Sequence, residues 1–208
     1  MRRLPIYFLV DTCFSMTGKP IEMVENCINS AVQSLKSNPI AFETTVISVI
    51  AYGNNKITFH ESYKNLIEVS DQNFYCSGYS NINYGMEAVR EDYTRNFIST
   101  TIEKKGDWKP MVFVFTGIAP NTKIDSTLIS FFEAKFSHGY IDYIDSFIRT
   151  DVGEEYQDYL LKAKFTIIVT SENEFTRKSF QDYYSEVYSY QDVDSFIYKF
   201  NNFFKCIS

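Results

Sequence analysis

The feature that most constrains the fold is an unbroken apolar run near the start of the chain, from Ile6 to Val10, which ends at Asp11. A strand with one face in water alternates apolar and polar side chains, whereas this run offers an apolar side chain at each position. We therefore predict a strand buried on both faces, which is typical of a parallel sheet. Met111–Phe115 has the same character and predicts a second central strand.

The rest of the chain alternates helix-like and strand-like patterns. Apolar residues recur every three or four positions from Pro20 to Lys36, which predicts an amphipathic helix. Thr44–Tyr52 is rich in β-branched residues and precedes a Gly-Asn-Asn turn, so Ile57–Tyr63 is predicted as its antiparallel partner strand. The other predicted elements are a helix marked by Met86, Val89, Tyr93 and Phe97, a helix marked by Ile124, Leu128, Phe131 and Phe132, strands at Phe165–Val169 and Val187–Tyr190, and a closing helix marked by Phe196, Ile197, Phe200, Phe203 and Phe204.

This alternation predicts the α/β fold class: a Rossmann-like, doubly wound, mostly parallel central sheet with one antiparallel edge strand and helices on both faces. A length of 208 residues suits one domain, so we predict a single domain over residues 1–208. Residues 138–162 interrupt the alternation with helical spacing and a net charge of −4, from six acidic residues against Arg149 and Lys162. We predict an acidic helical insertion there, which either packs on the domain or docks a partner.

Charge and composition exclude several classes of function. A net charge of −6 and a pI near 5.0 lack the basic footprint of nucleic-acid binding and disfavour an anionic membrane surface. No apolar run approaches the ~20 residues that cross a bilayer, and the first run is shorter than the ~7–15 residues of a signal-peptide core. The four cysteines form no C-x-x-C pair. We therefore expect a cytoplasmic protein with free thiols and with neither a nucleic-acid nor a membrane partner; no pattern predicts an oligomeric state.

The loop after the first strand is the first place to look for chemistry, because open parallel sheets bind ligands beyond the carboxyl ends of their strands. Asp11 and Ser15 are hard oxygen donors that suit an ion such as Mg²⁺. The loop fails as a phosphate-binding P-loop, since Cys13 stands where the first glycine belongs and Pro20 follows the lysine. It also fails as the loop of an aspartate-nucleophile phosphatase, because Cys13 stands where that motif has its second carboxylate.

A third motif fits better. Leu4–Met16, with Asp11-Thr12-Cys13-Phe14-Ser15 at its end, resembles the D-x-S-x-S opening of a von Willebrand factor A (vWA) domain. Within that superfamily the chain resembles the TerY-like branch, which is associated with bacterial tellurium resistance and implies a stress-response role. The other segments similar to that branch are Arg3–Pro5, Gly18–Glu22, Ser77–Ser80, Lys105–Pro110 and Phe196–Phe200. The resemblance covers nearly the whole chain except residues 138–162.

The resemblance implies a metal-ion-dependent adhesion site, in which a partner's carboxylate completes the shell of the ion. Asp11 and Ser15 match the motif, and Ser80 replaces a threonine of the second loop but keeps its hydroxyl. Cys13 replaces the first serine with a soft thiol, which suits a hard ion poorly. Gly117 stands where a late aspartate is expected. The implied metal set is therefore Asp11, Ser15 and Ser80, and we expect Mg²⁺ binding to be weak or absent.

The sequence thus predicts a non-catalytic module that binds a protein partner through the loops at the strand ends. Cys13, Phe14, Tyr79 and Gly117 are the residues predicted to contact the partner, with an exposed Phe14 as an anchor. One alternative is a Mg²⁺-dependent binder that recruits a partner carboxylate. Another is a hydrolase that uses Asp11 or Cys13.

The polar residues that match the motif can also be explained without a metal ion. Asp11 and Ser15 can cap the following helix and accept hydrogen bonds from loop N–H groups. Nucleophilic catalysis is disfavoured, because neither His60 nor His138 is placed by the sequence beside a thiol.

Overall fold

The computed structural model of the chain describes residues 2–116, 125–135, 166–169 and 187–189. The strands are β1 (Leu4–Asp11), β2 (Thr45–Gly53), β3 (Lys56–Asn65), β4 (Met111–Thr116), β5 (Thr166–Val169) and β6 (Val187–Ser189). The helices are α1 (Lys19–Lys36), α2 (Pro39–Thr44), α3 (Ile82–Asn96) and α4 (Ser126–Lys135). None of these helices has the length and apolar character that a bilayer crossing needs. The predicted insertion at 138–162, the predicted closing helix, Ile124 and Gly117 lie outside the described residues.

The six strands form one sheet in the order β3-β2-β1-β4-β5-β6. β1 pairs in parallel with both β2 and β4, β4 with β5, and β5 with β6, whereas β2 and β3 are antiparallel. The α/β fold class with one antiparallel edge strand is therefore confirmed. The strand order reverses between β1 and β4, and this switch point is where such sheets place their ligands.

The two faces of β1 pack against different helices, because successive side chains of a strand point to opposite faces. Ile6, Phe8 and Val10 lie in the core on the α1 side. Tyr7 and Leu9 lie in the core on the α3 side. All eight residues of β1 are buried, as predicted from the unbroken apolar run.

Helix α2 is a short element that the apolar pattern did not predict. Pro39 occupies its first turn, and the Asn38 side chain accepts hydrogen bonds from the N–H groups of Ile40 at 3.0 Å and Ala41 at 3.1 Å. The helix ends at Thr44, so the strand predicted from Thr44 begins one residue later. Its signal in the sequence is the Asn-Pro pair, a capping residue followed by the proline of a first helical turn.

Candidate functional site

A buried carboxylate occupies the switch point of the sheet. Asp11 is the last residue of β1 and is 0% exposed. Its Oδ2 accepts hydrogen bonds from the Ser80 hydroxyl at 2.6 Å and from the Thr116 hydroxyl at 3.1 Å. Its Oδ1 accepts one from the backbone N–H of Cys13 at 2.9 Å. Asp11 and Ser80, predicted to share a site, are thus in direct contact, and Asp11 joins the β1 loop, the loop before α3 and the end of β4.

Thr116 is a residue of this cluster that the sequence did not assign. The sequence motif placed its late aspartate at the next position, 117, whereas here the hydroxyl of Thr116 itself binds the Asp11 carboxylate. The parallel register pairs Val10 with Phe115, which brings the next residues, Asp11 and Thr116, side by side. A hydroxyl residue at the end of a central strand was the signal available in the sequence.

The environment of Asp11 changes its ionisation. Burial raises the pKa of the Asp11 carboxyl above its ordinary value, and the hydrogen bonds from Ser80, Cys13 and Thr116 oppose that rise without cancelling it. The carboxylate therefore depends on its three donors for stabilisation, since it has no contact with water.

Cys13 and Ser15 form a second contact in the same loop. The Cys13 Sγ lies 3.1 Å from the Ser15 Oγ, so the Ser15 hydroxyl contacts this thiol rather than the Asp11 carboxylate. Cys13 is buried, and that burial together with the nearby Asp11 charge raises the pKa of its thiol to about 12. The thiol is protonated at neutral pH and is a poor nucleophile. Since its side chain is buried, Cys13 does not reach the surface that a partner would touch.

The residues at this site fit a divalent ion poorly. Three protein groups already donate to the one buried carboxylate, and a single carboxylate compensates only half the charge of Mg²⁺. The neighbouring Cys13 offers sulfur where a hard ion prefers oxygen. In the part of the chain that the structure describes, no group of three or more His, Cys, Asp or Glu side chains could hold a metal.

Backbone hydrogen bonds tie the loop before α3 to the Asp11 loop and to the β2–β3 turn. The Ser77 N–H donates to the Thr12 carbonyl at 2.7 Å, and the Phe14 N–H donates to the Gly78 carbonyl at 3.0 Å. The Asn54 N–H donates to the Tyr79 carbonyl at 2.8 Å. These bonds hold three loops together in one layer above the carboxyl ends of β1 and β2.

Three large aromatic side chains project from this layer. Phe14 is 66% exposed, Tyr75 is 84% exposed and Tyr79 is 79% exposed. We call Phe14, Tyr75 and Tyr79 the loop surface. Large aromatic side chains on well-held backbone are the usual energetic anchors of protein interfaces. Phe14 and Tyr79 were predicted to face a partner, and Tyr75 was missed although an aromatic residue in a polar loop could have indicated it.

A second buried carboxylate, Asp92 of α3, was also missed by the sequence analysis. Its side chain accepts hydrogen bonds from Ser48 at 2.9 Å and from Ser62, and it lies 3.0 Å from the Nε2 of His60. Burial alone would raise the pKa of Asp92, but the bonds from His60, Ser62 and Ser48 lower it below its ordinary value. Asp92 therefore fastens α3 to β2 and β3, and it places His60 in this cluster, away from Cys13. The signal was an acidic residue on the apolar stripe of a predicted helix.

The comparison with solved structures agrees with this architecture. Neither the family models nor the curated proteins yield a match to this sequence. Among solved structures, the SpRpn10 VWA domain superposes with a TM-score of 0.50 at 10% identity, over 90% of this chain and 87% of that one. The fold is vWA-like.

Two larger proteins contain a unit of similar fold. A variant of the PilB minor pilin from Streptococcus sanguinis matches with a TM-score of 0.53 at 10% identity, over 97% of this chain and 61% of that one. The pilus adhesin SpaC from Lactobacillus rhamnosus GG, in its open conformation, matches with a TM-score of 0.56 at 10% identity, over 97% of this chain and 30% of that one. This chain therefore corresponds to only part of either pilus protein. At such identity the likeness establishes the fold.

Proposed function

We propose that this chain is a non-catalytic vWA-type module that binds a protein partner through the loop surface and does so without a metal ion. The observation that carries the proposal is the exposure of Phe14 and Tyr79 on loops fixed by the buried Asp11 cluster. Burying an aromatic side chain of this kind against a partner stabilises a complex by about 1.5–3 kcal/mol. Anchors held in place before binding lose little conformational freedom in the complex.

The chemistry of the site supports binding rather than catalysis. Asp11 is fully buried and Cys13 carries a thiol with a strongly raised pKa, so neither presents an activated nucleophile to solvent. The hydrolase alternative would need one of these two groups at the surface. Asp11 instead holds the surrounding loops together, because its carboxylate accepts hydrogen bonds from the hydroxyls of Ser80 and Thr116.

The wider biological setting follows from the sequence resemblance. Ser77–Ser80 and Lys105–Pro110 support a place in the TerY-like branch, and with it a cytoplasmic role in stress or tellurium resistance. The pilus adhesin SpaC contains a unit of similar fold, and this supports a binding role for the chain.

Affinity capture from a lysate of the source cells tests the proposal, with the purified chain as bait and mass spectrometry as the readout. We expect one protein that is retained equally in Mg²⁺ and in EDTA and is lost with Phe14→Ala. The matched control is Ile67→Ala, another exposed apolar side chain, which follows β3 and lies outside the loop surface. Equal capture by Phe14→Ala and the wild type would contradict the proposal.

A thermal-shift titration tests separately whether the chain binds a metal ion. An ion with a Kd near 1 mM would, at about 10 mM, stabilise the native state by about 1.4 kcal/mol. For a domain of this size that corresponds to roughly 3–6 °C in Tm. We expect no such shift with Mg²⁺ or Mn²⁺. A shift of that size that disappears in Asp11→Ala, together with capture abolished by EDTA, would establish the metal-dependent alternative instead.

A further inference from the structure

The opposite end of the sheet carries another exposed surface, where the amino ends of β1, β2 and β4 meet. Helix α2 and the segment before β4 border a shallow open notch there. Leu4, Ile40, Ala41 and Trp108 give it an apolar lining, and Ile40 remains 44% exposed at its edge. The notch is shallow, so an apolar side chain of another molecule would pack over it rather than enter it.

The segment before β4 is held firmly against the start of β1. The Asp107 carboxylate accepts two hydrogen bonds from Arg3, at 2.6 and 2.9 Å, and another from the Ile98 N–H at 2.9 Å. The Asp107 N–H donates in return to the Ile98 carbonyl at 2.7 Å. A Cβ at Gly106 would lie 2.2 Å from that same carbonyl oxygen, so glycine is required at this close approach. The segment therefore presents its outer side chains in a defined arrangement.

Those outer side chains are basic and apolar. Arg2 lies over the Trp108 ring, with its Cζ 5.1 Å from the ring centroid, and donates to the Gly106 carbonyl at 2.9 Å. Lys104 and Lys105 are exposed at the tip of the segment. The basal patch is the name used here for Arg2, Ile40, Ile102, Lys104, Lys105 and Trp108. Ile102 is fully exposed.

The local charge is opposite in sign to that of the whole chain. Lys109 adds a further exposed positive charge, and among the described residues the exposed acids of α2 and of the segment before β4 are Glu43 and Glu103. Asp107 is neutralised by its ion pair with Arg3. A positive excess therefore borders an apolar notch on a protein whose net charge is −6.

We infer that the basal patch binds a short acidic segment of a partner protein, with an aliphatic or aromatic side chain packed over the notch beside Trp108. Carboxylates on the segment complement Arg2, Lys104 and Lys105, and such complementarity selects and orients a partner. A nucleic acid carries no aliphatic side chain that could contact Ile40, and an anionic membrane surface is one of the outcomes that the binding test separates. This surface is separate from the loop surface, so the inference does not depend on the proposed function.

Trp108 makes the inference directly measurable, because it is the only tryptophan in the chain. The probe is an acetylated peptide of about ten residues in which Glu alternates with Leu and Phe. We expect a saturable change in Trp108 emission that weakens as NaCl rises from about 50 to about 500 mM. Replacing Glu by Lys in the peptide should abolish the change, and replacing Leu and Phe by Ser should weaken it.

Variants assign the binding to the basal patch. Lys104→Ser with Lys105→Ser removes two charges from an exposed turn and should weaken the peptide Kd roughly three- to tenfold. Ile40→Ser should weaken it as well, with circular dichroism to verify the fold. The matched control is Lys19→Ser with Lys56→Ser, which removes two exposed charges at the other end of the sheet and should leave the Kd unchanged.

Three outcomes would overturn the inference. The first is the absence of a saturable emission change with the acidic peptide. The second is equal weakening by the two double-lysine variants, which would indicate attraction without a defined site. The third is tighter binding to phosphatidylserine vesicles or to a single-stranded oligonucleotide than to the peptide, which would assign the patch to another class of partner.

Discussion

Asp11 is a single buried carboxylate that holds three distant parts of the chain together. Its hydrogen-bond donors are the hydroxyls of Ser80 and Thr116 and the backbone N–H of Cys13. Removing the carboxylate would remove the acceptor that these three hydrogen bonds share. A buried donor that loses its acceptor costs about 1–3 kcal/mol. At the residue scale, the stability of the loop surface therefore depends on Asp11.

We expect Asp11→Ala to lower the free energy of unfolding by about 2–4 kcal/mol, because it removes the shared acceptor of three hydrogen bonds. Urea denaturation of the wild type and the variant measures the change. Ser15→Ala, at an exposed position in the same loop, should change it by less than about 0.5 kcal/mol and serves as the control. Similar stability for Asp11→Ala and the wild type would show that the hydrogen bonds to Asp11 do not stabilise the fold.

At the element scale, two attachments determine how the loops and the edge strand sit on the sheet. The loop before α3 makes its turn at Gly78, whose φ of 69° favours glycine. A Cβ at Gly78 would lie 2.4 Å from the Cβ of Asn54, so the loop packs on the β2–β3 turn with no room to spare. The other attachment is Asp92, which joins α3 to β2 and β3 through Ser48 and Ser62.

Gly78 and Gly18 form a matched pair for testing the loop attachment. Both have positive φ, at 69° and 82°, but a Cβ at Gly18 would meet no atom within 4 Å. Gly18→Ala should therefore cost only the backbone strain, about 1–3 kcal/mol. Gly78→Ala adds the clash with Asn54 and should cost more and weaken partner capture. Equal losses of unfolding free energy in the two variants would show that the loop can shift without cost.

The Asp92 cluster predicts a pH-dependent contribution to stability. Because the pKa of Asp92 is lower in the folded state than in the unfolded chain, its contribution is complete above the ordinary carboxyl pKa and is lost as the pH falls through the folded value. Asp92→Asn should lower the free energy of unfolding by about 2–4 kcal/mol near pH 7. That difference should shrink as the pH falls below about 4.

Denaturation curves over the range from about pH 3 to about pH 7 measure this dependence. The control is Glu91→Gln, an exposed carboxyl at the neighbouring position of α3. Its effect on the free energy of unfolding should be small at each pH. A difference for Asp92→Asn that stays constant across the range would contradict the predicted ionisation.

At the scale of the whole molecule, the sheet separates two exposed surfaces. The loop surface lies at the carboxyl ends of β1 and β2, whereas the basal patch lies at the amino ends of β1, β2 and β4. β1 runs between them as a strand of eight buried residues. Substitutions this far apart, with no shared partners, act independently.

We therefore expect the two surfaces to be separable by mutation. Phe14→Ala should abolish capture of the protein partner and leave the peptide Kd at Trp108 unchanged. Lys104→Ser with Lys105→Ser should have the opposite pattern. Measuring both properties on both variants also distinguishes the proposals, because either can fail while the other holds. Loss of both properties in either variant would show that the surfaces are coupled.

The sequence by itself determined the fold class and the described strands and helices other than α2. The unbroken apolar runs at Ile6–Val10 and Met111–Phe115 could be satisfied only by strands covered on both faces, and the structure confirms both as central strands. Helical spacing predicted α1 and α3, and the Gly-Asn-Asn turn predicted the β2–β3 hairpin. These signals are local, because each depends on residues a few positions apart.

The contacts that make the candidate sites were decided only by the tertiary structure. Ser80 and Thr116 reach Asp11 from 69 and 105 positions away in sequence. Ser48 reaches Asp92 from 44 positions away, and no local pattern pairs them. Strand register and crossover connections bring such residues together, and these follow from packing over the whole sheet. The sequence could therefore place Asp11 at a strand end, but only the assembled sheet shows which hydroxyl groups surround it.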